Sequence, residues 1–345
     1  MRIQKSGQQD KTPVKRAPAG LAGRGIMRSG ELIFACIGIV VLCVTLVPLA
    51  GRASSNTKRF ECMTNLQHIG LALQEYARDY DGTLSVAYHY NNTDPKQKDG
   101  LDDTGIHNWS AFLRPYLTDG NYWVCPSDPN GGQPPTNFQV STNNDGAGIP
   151  EGATSGTDSQ DDQAPRLSYT CNEVLMPRPR GGVGGLIIGQ KQNLVTLSMV
   201  NDPGDTIAVT EFTDHLNAVS GGGPGGIKFK SHRPTDALAL DAGGTVAYDT
   251  SKPIKGKIYA ISPEAADALF ESQPTVAFGN TTAPHLIYID SGRHRGRDSF
   301  LFLDGHVASL PVDQTLDCDH FLWGTRAYNQ ASAEIMCSTT GQPVQ

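Results

Sequence analysis

The residues best suited to chemistry lie near the C-terminal end, where acids, bases and two histidines share a short stretch. His294, Asp304 and His306 could act as metal ligands or as an acid–base set, because imidazole and carboxylate groups bind cations and exchange protons. In the alternative, His294 and the arginines beside it hydrogen-bond loop groups and fix a hairpin. We favour this structural role, because Asp304-Gly305 is a typical turn pair and the spacing implies no nucleophile. The cluster comprises Asp290, Arg293, His294, Arg295, Arg297, Asp298, Asp304 and His306.

Two further groups of acids lie elsewhere in the chain. Glu211, Asp214 and His215 form a second acid–histidine group that could act in catalysis. In the alternative, these residues only mark the end of a strand that runs into a glycine-rich loop. A third group of acids could hold calcium, although its spacing does not match an EF-hand loop. No G-x-S-x-G or H-E-x-x-H motif is present. We therefore predict a non-enzymatic protein without a resident cofactor, calcium being the one cation considered. The calcium candidates are Asp313, Asp317 and Asp319, with His320 beside them.

The N-terminal region predicts how the chain is located in the cell. Leu32–Ala50 is an apolar run of 19 residues that follows Glu31, long enough to cross the roughly 30 Å hydrocarbon core of a bilayer. Seven basic residues and one acid precede Glu31, so the positive-inside rule places the N-terminus in the cytoplasm and the main domain outside it. The expected location of the main domain is periplasmic or extracytoplasmic. We expect a single-pass protein of the inner membrane, with a cleaved secretory signal as the alternative.

An amphipathic helix continues from the apolar run. Pro48 should kink it, and Gly82 should end it. Residues 1–30 are therefore interpreted as a basic cytoplasmic tail or leader, and residues 31–82 as a transmembrane and amphipathic helix. The predicted buried stripe consists of Cys62, Leu66, Ile69, Leu73, Tyr76 and Tyr80, spaced three or four residues apart.

Residues 83–345 should form an extracytoplasmic, β-rich domain. Without the seven bases and one acid of residues 1–30, the totals of 28 and 35 leave 21 bases and 34 acids, a net charge of −13 for residues 31–345. This charge argues against a nucleic-acid partner, which would require a basic face. Residues 126–165 contain few large apolar side chains and are predicted to be a mobile insertion.

Alternating and β-branched runs predict strands in this domain, and Asp304-Gly305 predicts a hairpin with a two-residue type I′ turn. The predicted fold class is α+β, with a long N-terminal membrane-spanning helix packed on a mostly antiparallel β-sheet. Predicted strands are Arg166–Met176, Leu194–Val200, Thr206–Phe212, Leu286–Asp290, Ser299–Leu303 and His306–Leu310, and predicted short helices are Asn108–Leu117 and Pro263–Glu271.

Several short motifs follow one another in a characteristic order. They are Glu31, the apolar run, Pro48, Cys62-Met-Thr-Asn-Leu-Gln-His-Ile-Gly-Leu-Ala, Asp81-Gly82, Trp109…Leu113-Arg-Pro-Tyr-Leu, Cys125-Pro-Ser-Asp, Ser168-Tyr169…Asn172, and His294 with nine residues before Asp304-Gly305. From Glu31 to the C-terminus this order resembles type IV pilin-like proteins, more narrowly the pseudopilin-like group with a prepilin-type H-X9-DG motif. The resemblance implies a pilin-like fold in which Glu31 pairs with the N-terminal amine of a neighbouring subunit during filament assembly.

The cysteines divide by location. Cys36 and Cys43 lie in the apolar run and are interpreted as small hydrophobic residues, whereas five others lie outside it, where disulfides persist. Five is an odd number, so at least one is free or pairs between chains. The resemblance implies a Cys62–Cys125 disulfide, with Cys125–Cys171 as the alternative. Cys318–Cys337 would hold the C-terminal tail, and the absence of C-x-x-C argues against a zinc ribbon.

These observations lead to two main functional hypotheses, and a membrane-tethered hydrolase built around His294 and His306 is a third. The first is a non-enzymatic, membrane-anchored, pseudopilin-like subunit of a type II secretion or type IV pilus-like assembly, with related pilin-like subunits or secretion machinery as partners. The second is an anchored extracytoplasmic module that binds a polysaccharide or a surface partner. Glu31 and Pro48 favour the first hypothesis, while Ile26, in place of the glycine that precedes the mature N-terminus in such proteins, favours the second.

Overall fold

The computed structural model describes residues 29–90, 106–117, 120–136, 161–178, 194–223, 226–250, 254–277, 279 and 282–345. Two compact units are present, Met1–Arg52 and Ala53–Gln345, and the second contains the sheets described below. The α-helices of the described residues are α1 Ser29–Asp79, α2 Trp109–Leu113 and α3 Pro263–Ser272. Glu31 and Pro48 belong to the helical backbone of α1, but their side chains lie outside the described part, as do those of most residues before Ser55.

The prediction of a membrane-spanning helix is wrong. Within the part of the chain that the structure describes, no helix combines the length and the apolar character that a bilayer crossing requires. From Ser55 to Asp79, where the side chains of α1 are described, charged residues recur along the helix, and each would be costly in hydrocarbon. The charged residues of this stretch are Lys58, Arg59, Glu61, Glu75, Arg78 and Asp79.

The second half of α1 buries one face against the sheet. Cys62, Leu66, Ile69 and Leu73 are almost fully buried, at the helical spacing that predicted the stripe. Tyr80, the last predicted member, is 54% exposed because it follows the end of the helix. The helix is closed by Gly82, whose φ is +78° and whose N–H donates to the carbonyl of Ala77 at 2.7 Å.

The sheet beneath α1 has the strand order β10-β9-β4-β3 and is antiparallel throughout. Its two central strands are completely buried, because β-branched and aromatic residues pack on both faces. Gly70 of α1 lies over this sheet, and a Cβ at that position would stand 2.7 Å from Leu301 Cδ1. A side chain at this position would have to displace the Leu301 side chain, so glycine permits the close helix–sheet contact seen here. The strands are β3 Tyr169–Cys171, β4 Ile207–Glu211, β9 Asp298–Phe302 and β10 Val307–Leu310.

The Asp304-Gly305 pair does close the β9–β10 hairpin, but the predicted two-residue type I′ turn is wrong. Phe302 N–H donates to His306 C=O, so three residues separate the last paired positions. Only Gly305 has a positive φ, +98°, whereas a type I′ turn needs two such residues. The positive φ favours glycine at this position, and a Cβ on Gly305 would also stand 2.8 Å from Gln74 Nε2 and displace the end of that side chain.

A second sheet is mixed, with the order β11-β12-β8-β7, in which β12 runs parallel to β8. Two-stranded antiparallel hairpins, β1–β2 and β5–β6, complete the described sheets. The architecture is thus α+β with antiparallel and mixed sheets. The remaining strands are β1 Tyr88–Tyr90, β2 Ile106–Asn108, β5 Ser220–Gly223, β6 Gly226–Phe229, β7 Leu238–Ala239, β8 Ile258–Ala260, β11 Arg326–Ala327 and β12 Ala333–Cys337.

Two predicted strands are 3-10 helices instead. Leu197–Met199 lies within the predicted strand Leu194–Val200, and His285–Tyr288 overlaps the predicted strand Leu286–Asp290, but each makes a single tight turn. The second follows Pro284, whose side chain and fixed φ favour a turn start, and all four of its residues are buried. Of the predicted insertion 126–165, residues 137–160 lie outside the described part, while its described ends are hydrogen-bonded to the domain.

Candidate functional site

The most notable contact between sequence-predicted residues joins His294 to Glu211. His294 lies four residues before β9, and Glu211 ends β4, so the antiparallel β4–β9 pairing brings them together. His294 Nε2 is 2.8 Å from Glu211 Oε1, and the side chains of both residues are at most 1% exposed. The sequence had placed them in two separate acid–histidine groups. The β4–β9 pairing joins one residue of the first group, His294, to one residue of the second group, Glu211.

A disulfide lies against this pair. Cys62 of α1 is bonded to Cys125, and Cys125 Sγ is 3.6 Å from His294 Nε2. The ligand atoms of all four side chains lie within 4.8 Å of one another, and all four residues are buried. We refer to Cys62, Cys125, Glu211 and His294 as the His294 cluster. Cys171, the alternative partner of Cys125, is a free buried thiol, and Cys318 is bonded to Cys337.

Asp298, the first residue of β9, forms a side-chain hydrogen bond with Glu211. Burial, followed by the hydrogen bond to Glu211, raises the pKa of Asp298 well above its ordinary value. Burial also opposes ionisation of Glu211, but hydrogen bonds from Asp298 and His294 outweigh it and lower the pKa of Glu211. Asp298 is therefore the neutral donor and Glu211 the carboxylate, whose Oε2 also accepts from Ser299 N–H at 3.2 Å.

Arg293 provides the nearest full positive charge. Its Nη2 is 2.9 Å from Asp290 Oδ2 and 2.6 Å from the carbonyl oxygen of Phe212. Asp128, of the Cys-Pro-Ser-Asp motif, lies 3.8 Å from the same nitrogen and accepts from Ser168 Oγ at 2.7 Å. Burial disfavours the charge on Arg293, but Asp290 and Glu211 outweigh it and raise the pKa of the guanidinium.

The other half of the H-X9-DG motif lies apart from this cluster. Asp304 and His306 are both more than 40% exposed, and Asp304 Oδ1 accepts from the backbone N–H of His306 at 3.0 Å and contacts His306 Nδ1 at 2.7 Å. Gln74 of α1 donates to the carbonyl of Asp304 at 2.7 Å. Asp304 and Gly305 therefore form the turn that contacts α1, and His294 belongs to a different, buried site.

The remaining predicted site residues lie at the surface. Asp214 and His215 are 3.7 Å apart and border an open cleft of about 410 Å³. Among the described residues, Asp313, Asp317 and Asp319 do not belong to any set of three or more ligand atoms within 4.8 Å of one another. Asp317 instead accepts a hydrogen bond from the backbone N–H of Asp319 at 3.0 Å.

A second buried histidine site was missed by the sequence analysis. His285 Nδ1 is 2.8 Å from Glu173 Oε2 and 3.1 Å from Asp236 Oδ2, and Arg178 Nε is 3.0 Å from Glu173 Oε2. We refer to Glu173, Arg178, Asp236 and His285 as the His285 cluster. Its members come from three segments, one of which supplies both Glu173 and Arg178. A charged residue beside apolar neighbours, as at Glu173, Asp236 and His285, is the sequence signal that could have indicated the cluster.

The charges of the His285 cluster are balanced. Burial opposes the protonated form of His285, but Glu173 and hydrogen bonds to Asp236 and Glu173 outweigh it and raise the pKa of His285 to about 9. Burial raises the pKa of Asp236 to about 6, against the effect of His285. Two acids thus face two cations, with Thr250 N–H and Oγ1 donating to Glu173 Oε1 at 2.8 and 2.7 Å.

The outer face of α1 presents a contrasting surface. Phe60 and Leu71 are 60% and 62% exposed, and eleven residues, about three helical turns, separate them. At 100° per residue they share one face, nearly opposite the buried stripe of Cys62, Leu66 and Leu73. Two large apolar side chains are therefore more than half exposed on the side of α1 that faces away from the sheet.

Both histidine clusters are closed to solvent, so neither provides the opening that a substrate needs. Their chemistry is that of ion pairing, thiol bonding or metal ligation. Comparison of the chain with models of known protein families, with curated proteins and with solved structures gives no match in any of the three.

Proposed function

We propose that the chain is a non-catalytic subunit of a pilin-like assembly, in which the outer face of α1 packs on helices of neighbouring copies or related subunits. The exposure of Phe60 and Leu71 on one helix face carries the proposal. Apolar side chains on the free face of a helix are what a partner helix covers when helices pack by ridges into grooves.

The way α1 is held supports this role. A subunit that transmits contacts through one helix needs that helix fixed to its domain, and α1 is fixed by its buried stripe, by the Cys62–Cys125 disulfide and by Gln74. The two disulfides are typical of proteins that function outside the reducing cytoplasm. The H-X9-DG turn contributes the contact with Gln74, which is a positioning role rather than a chemical one.

Self-association of the full chain tests the proposal. In sedimentation velocity over a range of concentrations, the wild-type chain should associate, and the double variant Phe60→Glu/Leu71→Glu should remain monomeric, because charge on this face opposes its burial. Thermal unfolding of the variant should match the wild type, since both positions are exposed.

The matched control is Val246→Glu, which adds a carboxylate at a 48% exposed apolar position outside α1. It should associate like the wild type. Association of the Phe60→Glu/Leu71→Glu variant with wild-type concentration dependence would contradict the proposed role of this face.

A further inference from the structure

The His294 cluster contains the donor set of a metal site. Zinc in proteins is bound by thiolate, imidazole and carboxylate groups in a tetrahedral arrangement. Cys62, Cys125, His294 and Glu211 supply two sulfurs, one imidazole nitrogen and one carboxylate oxygen within 4.8 Å of one another. These ligands come from α1, from the loop after the 3-10 helix Gly120–Trp123, from the end of β4 and from the loop before β9.

One of the distances from His294 already matches a zinc tetrahedron, and the other is shorter. With Zn–N and Zn–O bonds of about 2.0 Å and Zn–S bonds of about 2.3 Å, the edges of the tetrahedron measure roughly 3.3–3.8 Å. His294 Nε2 is already 3.6 Å from Cys125 Sγ, and it is 2.8 Å from Glu211 Oε1. A single imidazole nitrogen thus faces both a sulfur and a carboxylate oxygen, and its hydrogen bond to Glu211 would have to lengthen by about 0.5 Å to admit the ion.

We propose that Cys62, Cys125, Glu211 and His294 form a tetrahedral Zn²⁺ site in the reduced chain, and that the disulfide and the metal are alternative ways to join α1 to the Cys-Pro-Ser-Asp loop. The two states exclude each other, because a sulfur in a disulfide is not a thiolate ligand.

The chemistry balances with an external dithiol as reductant. The dithiol gives two electrons and two protons to the Cys62–Cys125 bond, which breaks into two thiols, and the dithiol becomes a cyclic disulfide. Zinc binding then releases both thiol protons to solvent as two thiolate–metal bonds form, while the ion stays Zn²⁺. In the metal state Nε2 of His294 carries no proton, and the proton of the ring resides on Nδ1.

The surroundings suit this ion. Two thiolates neutralise Zn²⁺, and Arg293, which is almost fully buried, offsets the carboxylate of Glu211. Ser299 N–H donates a hydrogen bond to Glu211 Oε2 at 3.2 Å, and the other carboxylate oxygen, Oε1, contacts His294. Such a hydrogen bond from outside the ligand set is what orients a metal-binding carboxylate. By contrast, the His285 cluster has no sulfur, and its Arg178 occupies the position where a cation would be needed.

The test uses the full chain, reduced with a water-soluble phosphine and supplied with Co²⁺ as a spectroscopic probe and then with Zn²⁺. One metal ion should bind per reduced chain, with a thiolate-to-cobalt charge-transfer band that Zn²⁺ abolishes. The oxidised chain should bind none. Zn²⁺ should also raise the Tm of the reduced chain and leave that of the oxidised chain unchanged.

Variants identify the ligands. His294→Ala and Glu211→Gln each retain the disulfide, so they can be folded oxidised before reduction, and each should weaken zinc binding at least tenfold. The matched control Cys318→Ser/Cys337→Ser removes the other disulfide and should keep full metal binding. The proposal is overturned if the reduced wild type binds no more zinc than Cys62→Ser/Cys125→Ser, or if His294→Ala binds zinc with wild-type affinity.

Discussion

The His294 cluster and the His285 cluster bury the same kinds of groups, a histidine facing carboxylates, yet they stabilise them differently. In the His285 cluster two acids face two cations, and each charge has an oppositely charged partner within about 3 Å. In the His294 cluster a neutral acid donates to the carboxylate, the arginine stands further out, and a disulfide completes the shell.

This difference separates two uses of a buried histidine. A closed ion-pair network gains nothing from a metal, because its acceptor atoms are already engaged by Arg178 and Thr250. The His294 cluster relies on a covalent bond that redox chemistry can open. The stability that the His285 cluster provides should therefore depend on its charge partners and on pH. The stability that the His294 cluster provides should depend on its two cysteines.

The largest effect is expected from Glu173→Gln, which removes one charge from the His285 cluster while preserving the shape of the side chain. Because Glu173 serves both Arg178 and His285, its loss leaves two buried cations with one acid. The free energy of unfolding, measured by urea denaturation, should fall by about 4–5 kcal/mol.

The matched control is Glu75→Gln, which breaks the exposed pair with Arg78. Its effect should stay within about 0.5 kcal/mol. A loss below about 1 kcal/mol for Glu173→Gln would mean that the network does not stabilise the fold through its charges.

Removal of the Cys62–Cys125 bond should be next in size. In the chain-entropy description, a disulfide stabilises more when it closes a longer loop. The sequence separations of 63 and 19 residues then give about 4 kcal/mol for Cys62→Ala/Cys125→Ala and about 3 kcal/mol for Cys318→Ala/Cys337→Ala, measured by denaturation in metal-free buffer. An equal or reversed order would show that loop entropy does not control these two bonds.

Alkaline pH should weaken the His285 cluster. The pKa of His285 is about 9 in the folded chain against an ordinary 6.5, so the proton binds more tightly to the folded state. This stabilisation is complete below about pH 6.5 and is lost as pH rises through 9. The contribution of His285 to the free energy of unfolding, measured as the difference between the wild type and His285→Gln, should therefore fall by on the order of 2 kcal/mol between pH 7 and 9. The lowered pKa of the buried Lys230 amine, about 7, acts in the opposite direction on both curves and cancels in this difference.

A series of unfolding curves across this pH range measures the slope. His285→Gln should remove the contribution of His285, while Val246→Ala, which changes no titratable group, should keep the wild-type curve. Identical pH dependence in the wild type and His285→Gln would contradict the assignment to His285.

The smallest effect is expected from Asp298→Asn. Because Asp298 is the neutral donor to Glu211, an amide replaces it without change of charge and still donates a hydrogen bond. The loss of stability at pH 7 should stay below about 1 kcal/mol, whereas Glu211→Gln should cost about 2–3 kcal/mol because its carboxylate accepts three hydrogen bonds. Equal costs would mean that Asp298 is ionised.

The sequence predicted the parts of the fold that depend on local pattern. The stripe of α1, the Pro263–Ser272 helix and strands β4, β9 and β10 follow from helical spacing and β-branched runs. The pattern failed at His285–Tyr288, because a short buried apolar run is compatible with a strand and with a 3-10 turn. It also failed for the apolar N-terminal run, where composition alone led to a membrane-spanning helix that the described structure lacks.

The candidate site was only half predictable. His294 and Glu211 each attracted attention, but their contact depends on the β4–β9 register across about 90 residues of chain, which no local pattern encodes. Asp304 was grouped with His294 because of its sequence spacing, although the intervening β9 strand carries it away to the surface. The His285 cluster was missed entirely, because single polar residues within apolar runs resemble satisfied core residues.

The parallel pairing of β12 with β8 has a consequence for biosynthesis. The first sheet, which holds both disulfide-bonded α1 and the His294 cluster, is complete in the nascent chain once Leu310 has been made. The second sheet must wait for Cys337, because β12 lies between β11 and β8. During translation, α1 and the β10-β9-β4-β3 sheet are therefore complete before the second sheet can form. The edge of β8 lacks β12 until more than seventy further residues have been synthesised.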